Sequence, residues 1–254
     1  IRDYDFLKKI LPDYEIIIPL AALVGAPLCN QSKEDAESLN LHQNLKLFNM
    51  IKSDQKIIMP TTNSAYGHGK ESEIFDENSE LNPISLYAQH KVDVEKELSN
   101  LNNFISLRLA TVFGMSPRMR LDLLVNNFVY KALNDKYLVI FEGSFKRNYI
   151  HVRDVARAFL HCINDFSKMK NEVYNLGLED ANLSKKELCE KIKKYINFSY
   201  HEEEFQKDED QRNYIVSNQK ILSSGFTPKF DLDFGIKELI KGYQGINIRS
   251  FKNY

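Results

Sequence analysis

Three apolar runs separated by helical segments constrain the fold of this chain more than any other feature. The runs are EIIIPLAALV at 15–24, KIIMPTT at 56–62 and FISLRLATVF at 104–113. A short apolar run without polar alternation is typical of a strand buried on both faces of a sheet. Helical patterns over 33–53 and 85–101 lie between the runs, as in successive βαβ units. The sequence therefore predicts an α/β fold with a parallel sheet.

The second half of the chain has shorter and less regular elements. Its predicted helices cover 119–134, 153–166, 185–196 and 233–243, and its predicted strands cover 137–141, 149–152 and 173–176. Ser184 followed by Glu187 forms a capping box that starts one of these helices. A charged loop is predicted at 205–213. Since no linker rich in Pro or Gly separates the halves, we expect a second domain to be interwoven with the first.

Composition excludes several classes of function. The chain has 254 residues with 34 Lys and Arg against 35 Asp and Glu, a balance that does not indicate binding to nucleic acid or to an anionic membrane. Its three cysteines are far apart, and no apolar run reaches the roughly 18 residues of a membrane helix. We expect a cytoplasmic protein. The chain opens on Ile1 rather than Met, so we also expect it to be truncated.

Polar side chains follow the predicted strands, at the sheet edge where α/β proteins bind ligands. Thr62 is the last residue of the second predicted strand. Further along the chain, Tyr87 and Lys91 are four residues apart on a predicted helix and so share one face of it. A lysine charge beside a phenol lowers the phenol pKa from about 10. Tyr87 is thus a candidate general base, and Thr62 can orient a substrate hydroxyl. A Tyr-x-x-x-Lys pair also occurs on ordinary exposed helices, so the pair alone leaves both interpretations open.

Several further motifs, taken in order with Thr62, Tyr87 and Lys91, resemble the extended short-chain dehydrogenase/reductases of the nucleotide-sugar epimerase/dehydratase group. The matching segments are IIIPLAALVG at 16–25, LRLATVFG at 107–114, RNYIHVRDVARAF at 147–159, YNLG at 174–177 and the segment with Arg212 and Tyr214. Asn40 matches the family's structural asparagine. Gln43-Asn44 stands where the family has Gly-Thr, which is a departure.

The resemblance implies a Rossmann-like, doubly wound parallel sheet with a smaller C-terminal α/β substrate domain. We expect 1–115 to form part of an NAD(P)-binding domain. Residues 116–254 are expected to form mainly the substrate domain, and segments around 137–166 to return to the first domain. By resemblance, Thr62, Tyr87 and Lys91 form the catalytic triad, and the cofactor contacts are Leu20, Ala21, Ala22, Tyr87 and Lys91.

The sequence has ten glycines, and none of them form the Gly-x-x-Gly-x-x-Gly pattern of the family's loop. That loop anchors the cofactor pyrophosphate. We therefore expect the first βαβ unit of the family to be missing from this chain. Either the chain is a fragment, or the protein has lost its cofactor. The intact triad favours a fragment. The expected cofactor is NAD, and NADP stays open because the residue that discriminates the two lies in that unit.

The resemblance implies that Tyr87 removes a sugar hydroxyl proton as hydride leaves for the nicotinamide. Related 4,6-dehydratases carry Asp-Glu after the threonine, whereas this chain has Asn63 and Ser64, which argues against dehydration. The two reactions that remain possible are epimerisation and simple oxidoreduction of a nucleotide-diphosphate sugar. TTNSAYG and SPRMRLDLLVNNF at 116–128 also resemble a subgroup of GDP-heptose C4 oxidoreductases. The alternatives are a non-catalytic NAD(P)- or nucleotide-sugar-binding protein and a ligand-free scaffold.

The candidate substrate-binding residues are Thr111, Asn126, Arg147 and Arg212. Arginine forks suit a diphosphate because they bind it through paired hydrogen bonds. Arg118 and Arg120 are further candidates, with a solvated loop as the alternative. Structural roles are equally open for Asn126 and Thr111. A surface charge is the alternative for Arg147 and Arg212.

Two other expectations concern histidine and assembly. His151 lies in an apolar strand and is expected to be a satisfied core residue, and no histidine has metal-ligand spacing. The family resemblance implies a homodimer built from the helices at 33–53 and 85–101. Its candidate contacts are Leu45, Phe48, Val94 and Leu98, each of which could instead face its own sheet.

Overall fold

The computed structural model describes residues 1–70, 72–203 and 212–245. The strands are β1 (Ile16–Ile17), β2 (Lys56–Thr62), β3 (Ile74–Phe75), β4 (Phe104–Leu109), β5 (Thr111–Phe113), β6 (Tyr137–Phe141), β7 (Lys146–His151), β8 (Glu172–Leu176), β9 (Asn182–Ser184), β10 (Ser199–Glu203) and β11 (Ile215–Val216). The helices are α1 (Tyr4–Ile10), α2 (Ala26–Gln31), α3 (Lys33–Glu37), α4 (Gln43–Phe48), α5 (Leu86–Leu98), α6 (Leu124–Asn134), α7 (Val152–Asn164), α8 (Phe166–Met169), α9 (Lys185–Lys193), α10 (Gln219–Ser223) and α11 (Leu232–Gly245).

A parallel sheet in the order β1-β2-β4-β8 forms the centre of the fold. Its inner strands are rich in β-branched and large apolar residues because both faces are covered, as the sequence predicts. Ile57, Ile58, Met59, Ile105 and Leu107 are almost fully buried. This sheet confirms the predicted α/β class.

Three small sheets accompany the central one. β5 pairs in parallel with β7, which pairs antiparallel with β9. β6 pairs in parallel with β10, and β3 with β11. The capping box predicted at Ser184 is confirmed, since Ser184 and Glu187 satisfy each other's backbone N–H groups. Strands β9, β10 and β11 escaped the sequence analysis, because segments of two to five residues carry little periodicity.

The strand predicted over 15–24 shortens to Ile16–Ile17, and the expected length was wrong. Later in the same run, the backbone of Leu23 is hydrogen-bonded to the side chain of Asn40 and not to a neighbouring strand. Leu23 N–H donates to Asn40 Oδ1 and Leu23 C=O accepts from Asn40 Nδ2, both at 2.8 Å. Asn40 is fully buried in a π-helical turn, Ser38–His42, which interrupts the helix predicted over 33–53. The asparagine thus ties the edge of the sheet to this helix.

The strand predicted over 104–113 is broken at Ala110. Ala110 N–H donates to Leu176 C=O, so the chain leaves the central sheet there and continues as β5 in another sheet. The break brings Thr111 to the start of β5, beside the carboxyl edge of the central sheet. The expected domain division at residue 115 stays a prediction, as does nearly all of the charged loop at 205–213, since 204–211 lies outside the described residues.

Three of the four proposed dimer contacts are buried within the chain. Phe48, Val94 and Leu98 pack with Ile57 and Met59 under the central sheet, with Leu45 against them. Of the two alternatives left open by the sequence, Phe48, Val94 and Leu98 thus follow the second and face their own sheet, while the role of the partly buried Leu45 stays a prediction. The homodimer itself stays a prediction.

Among the residues with described positions, no helix has the length and apolar character to span a bilayer. Cys29, Cys162 and Cys189 are buried free thiols.

Candidate active site

A cleft at the carboxyl edge of β2 and β4 brings the first candidate residues together. Thr62, Tyr87, Thr111 and Arg212 all line it, and its volume including the open mouth is about 1040 Å³. Thr62 ends β2 and caps the turn that follows, with its Oγ1 accepting from Ser64 N–H at 3.1 Å. Thr62 thus contributes a hydroxyl group to the lining of the same cleft as Tyr87.

Ser85 positions Tyr87 by starting helix α5. Its hydroxyl accepts from Ala88 N–H at 3.3 Å, as a helix N-cap does. Tyr87 then lies in the first helical turn and points into the cleft, whereas Lys91 lies one turn further into the fold. The i, i+4 spacing therefore selects a helix face, but only one of its two residues reaches the open space.

Lys91 is buried, and its Nζ donates to Pro60 C=O at 2.9 Å. Pro60 lies in β2, two residues before Thr62. Burial lowers the pKa of the Lys91 ammonium to about 8, because a cation loses its hydration there. The lysine thus joins α5 to the strand that ends in Thr62.

The expectation that Lys91 lowers the pKa of Tyr87 is not met in this structure. Burial of the phenol raises the pKa of Tyr87 to about 12, and the positive charges of Arg120 and Arg212 act in the opposite direction. The Lys91 ammonium is directed at Pro60 C=O, away from the open cleft. The expectation fails because burial of the Tyr87 phenol dominates its pKa, while the Lys91 ammonium is hydrogen-bonded to Pro60 C=O.

A buried polar network holds α5 against the sheet, and sequence reasoning missed it. Glu95 accepts from Arg108 Nη2 at 2.6 Å, from Ser106 Oγ at 2.7 Å and from Thr61 Oγ1 at 2.9 Å. Arg108 also donates to Tyr66 Oη at 2.9 Å. The signal was the continuation of the Tyr87, Lys91 spacing by four more residues to Glu95.

A second cavity adjoins the cleft and is rich in cations. Arg120, Arg147, Lys185 and Arg212 line it, with Asp122 as its acidic residue among the described lining. Arg120 pairs with Asp122 through both carboxylate oxygens. Arg147 is buried and lies over the ring of Tyr214, and Arg212 donates to Ser64 Oγ. The structure thus gathers Arg147 and Arg212, as the sequence predicts, and adds Lys185.

Asn126 is not among the described residues that line either cavity, and its substrate-binding role stays a prediction. Its Oδ1 accepts from Gly114 N–H and its Nδ2 donates to Arg120 C=O, both at 3.0 Å. The amide is buried and shapes the loop that carries Arg120. Arg118 is exposed and outside both cavities, which agrees with its solvated-loop alternative.

The predicted cofactor contacts lie along the edge of the central sheet. Leu20 is 67% exposed, Ala21 is exposed and Ala22 is half-buried, while both cavities begin at Val24. An apolar side chain this exposed at a ligand-binding edge suits contact with a flat ring. The role of these three residues stays a prediction.

His151 is a satisfied core residue, as predicted. It is buried, its Nδ1 accepts from Arg153 N–H at 3.2 Å, and its Nε2 lies 3.0 Å from Glu238 Oε2. These two bonds select the tautomer with the proton on Nε2. Within the described ranges, no group of three or more His, Cys, Asp or Glu side chains is arranged to hold a metal ion.

The central parallel sheet, with a polar cleft at its carboxyl edge, defines a Rossmann-like α/β protein. The family model for the NAD dependent epimerase/dehydratase family matches residues 1–177. The chain belongs to this family, and the resemblance noted in the sequence is confirmed.

Individual relatives agree with this assignment. The chain is 27% identical over 261 residues to a putative UDP-glucose 4-epimerase of Methanocaldococcus jannaschii, covering 97% of this chain and 83% of that protein. The structure of the Thermus thermophilus UDP-glucose 4-epimerase in complex with NAD superposes with a TM-score of 0.82, at 21% identity, over 96% of this chain and 83% of that one. The Thermotoga maritima UDP-glucose 4-epimerase with UDP-glucose gives a TM-score of 0.81, at 23% identity, over 96% and 82%.

Proposed function

We propose that the protein is an NAD(P)-dependent epimerase or oxidoreductase that acts on a nucleotide-diphosphate sugar. The observation that carries this proposal is the shared cleft of Thr62 and Tyr87, which continues into a cavity lined by Arg147 and Arg212. Hydroxyl and phenol groups suit a sugar, and the arginines suit a diphosphate beside it. The UDP-sugar epimerases among the relatives support the same substrate class.

The residues present fit the nicotinamide end of a dinucleotide. The exposed edge at Leu20–Ala22 leads to the cleft where Tyr87 lies, and structural neighbours are bound to NAD or NADPH. When bound, the cofactor would supply the hydride acceptor. The pyrophosphate anchor of the family, a glycine-rich loop, is not in this sequence.

In this proposal, Tyr87 accepts the proton of a sugar hydroxyl that Thr62 orients. Without substrate, the Thr62 Oγ1 donates to Ser64 Oγ at 2.9 Å, and to orient a sugar oxygen it would turn this proton from Ser64 to that oxygen. Arg120 and Arg212 favour the phenolate form of Tyr87. Lys91 joins α5, which carries Tyr87, to β2, which ends in Thr62, through its bond to Pro60 C=O.

Dehydration is disfavoured by the residues after Thr62. Asn63 is fully buried and Ser64 lines the cleft, and neither side chain can act as a carboxylic acid. Epimerisation and simple oxidoreduction would both begin with proton transfer to Tyr87 and loss of hydride from the same carbon. Epimerisation would then return the hydride to the other face of the sugar and the proton to its oxygen, whereas simple oxidation would release the oxidised sugar. Both reactions therefore stay within the proposal.

A non-catalytic NAD(P)- or nucleotide-sugar-binding protein is the second candidate, in which the Tyr87 phenol would contact a ligand in the cleft without accepting its proton. A phenol that stays protonated at neutral pH can donate a hydrogen bond to a ligand but cannot remove a proton from it. Binding of NAD or a nucleotide sugar with no turnover would identify this candidate.

The experiment compares Tyr87→Phe with Tyr137→Phe, an exposed tyrosine outside the lining of the cleft that serves as the matched control. Protein is supplied with NAD or NADP and a panel of UDP-, dTDP- and GDP-sugars, and products are identified by mass spectrometry and proton NMR. We expect Tyr87→Phe to lower kcat by about 10²-fold or more, as loss of a general base does, with unchanged circular dichroism. Turnover at the wild-type rate in Tyr87→Phe would rule out the mechanism.

A further inference from the structure

Lys185 places a buried cation on the wall of the second cavity. It is the first residue of α9, directly after the capping residue Ser184. The side chain lines the cavity, and its Nζ donates to Phe141 C=O at 2.6 Å. This bond to the end of β6 holds the ammonium group at a defined point of the wall.

Positive charge predominates along the described wall of this cavity. The described lining contains four cations, Arg120, Arg147, Lys185 and Arg212, and one carboxylate, that of Asp122. Asp122 is engaged by Arg120 in a paired contact. Arg147, Lys185 and Arg212 line the same cavity. A diphosphate ester carries about two negative charges, which suits such a group.

The three cations have complementary chemistry. Guanidinium groups present planar pairs of donors, while an ammonium group acts as a compact point charge. A lysine beside two arginines can thus neutralise a phosphate oxygen that the planar groups do not reach. The neighbouring Lys186 is different, because it is half-exposed and pairs with Glu202 on the outside of the same helix.

We propose that Lys185 is a third phosphate-binding residue of the nucleotide-sugar site, acting with Arg147 and Arg212 on the diphosphate. This inference rests on the proposed function, since it assigns a contact within the same site. It predicts that removal of the Lys185 charge weakens the binding of the diphosphate group and does not affect the binding of the nucleoside.

The test is calorimetric titration of the whole chain with UDP, GDP and dTDP, and then of the tightest binder's nucleoside. Lys185→Met removes the charge and keeps the length of the side chain, and Lys186→Met is the matched control. We expect Lys185→Met to raise the Kd for the diphosphate about tenfold or more, with a weaker dependence on salt. Lys186→Met and the nucleoside should show no change, and Lys185→Arg should recover much of the affinity.

Two other outcomes of the titration separate the role of Lys185 from the proposed function. If the wild-type chain binds a nucleoside diphosphate and Lys185→Met binds it within twofold as tightly, the role of Lys185 is overturned and the proposed function stands. If the wild-type chain binds none of the three diphosphates, both proposals fall. Circular dichroism checks the fold, and Lys185→Gln replaces Lys185→Met under the same criterion if the latter does not fold.

Discussion

The Lys91 ammonium donates to the Pro60 carbonyl at 2.9 Å, which makes the lysine a link between helix α5 and strand β2. Thr62 ends that strand and Tyr87 begins that helix, so the link fixes the two residues that line the cleft. The lysine acts here through geometry, while the electrostatic influence on Tyr87 comes from Arg120 and Arg212.

The burial of Lys91 predicts a characteristic dependence of stability on pH. Its pKa is lowered to about 8 in the folded protein from the ordinary value of 10.5, so between these values the unfolded chain binds more protons and stability rises with pH. Wild-type protein should therefore gain about 2 kcal/mol of unfolding free energy relative to Lys91→Met between pH 8 and pH 10. Urea unfolding at both pH values measures this difference. Lys96→Met, on the exposed side of the same helix, should show no such change. A constant difference for Lys91→Met would contradict the burial of its charge.

Arg120 should set the pH at which Tyr87 becomes active. The positive charge of Arg120 lowers the pKa of the phenol against the effect of burial, so Arg120→Met should move the rising limb of kcat to higher pH by about one unit. Asp122→Asn removes the carboxylate paired with Arg120 and should move the same limb to lower pH. Initial rates from pH 6 to 10 measure both shifts as displacements of the line of log kcat against pH, since this range lies below a pKa of about 12. The exposed Arg118→Met is the control, and a shift there equal to that of Arg120→Met would show a general charge effect.

The ion pair of Glu95 and Arg108 should be a major source of stability. Both side chains are buried, and Glu95 Oε1 accepts from Arg108 Nη2 at 2.6 Å. Glu95→Gln leaves the guanidinium buried without a counter-charge, so we expect a loss of about 3 kcal/mol or more in unfolding free energy.

A double variant and a control complete this test. Adding Arg108→Met to Glu95→Gln should recover part of the loss, because no charge then remains in the network. Glu97→Gln, exposed on the same helix, should change the unfolding free energy by less than about 0.5 kcal/mol. An equal effect of Glu95→Gln and Glu97→Gln would show that the network contributes little.

The sequence predicts the parts of this fold that repeat a simple pattern. The strand at Lys56–Thr62, the helix carrying Tyr87 and the capping box at Ser184 are all recovered, because apolar runs and cap residues act locally. The length of the strand after Glu15 is not recovered. Whether that segment continues as a strand depends on Asn40, which is distant in the sequence and takes both backbone groups of Leu23.

The candidate site shows the same limit. A spacing of four residues places Tyr87 and Lys91 on one helix face, but it does not say which of them meets open space. The sequence leaves a substrate contact and a structural role equally open for Asn126, and in the fold its amide is bonded to the backbone of Gly114 and Arg120. Lys185 follows a capping residue and has no motif of its own. Its place beside Arg147 depends on how β7 and β9 pair.

Gly67 should be essential for the turn that follows Thr62 and is hydrogen-bonded to the segment carrying Arg212. Its φ is +70°, and a Cβ at this position would lie 1.9 Å from Asn82 C=O. The Gly67 carbonyl also accepts from Asn213 N–H at 3.1 Å, directly beside Arg212. Gly67→Ala must therefore move the backbone on both sides, at a cost of about 2 kcal/mol or more in unfolding free energy.

The same substitution should weaken the nucleoside diphosphate site, because the shift of Asn213 carries Arg212 away from the cavity that it lines. Thermal unfolding and calorimetric titration with UDP measure the two effects on one protein. Gly245→Ala is the control, since a Cβ there would meet no atom within 4 Å. If Gly67→Ala keeps both the wild-type Tm and the wild-type Kd, the turn is able to relax without moving Arg212, and the two walls of the cleft are not coupled through it.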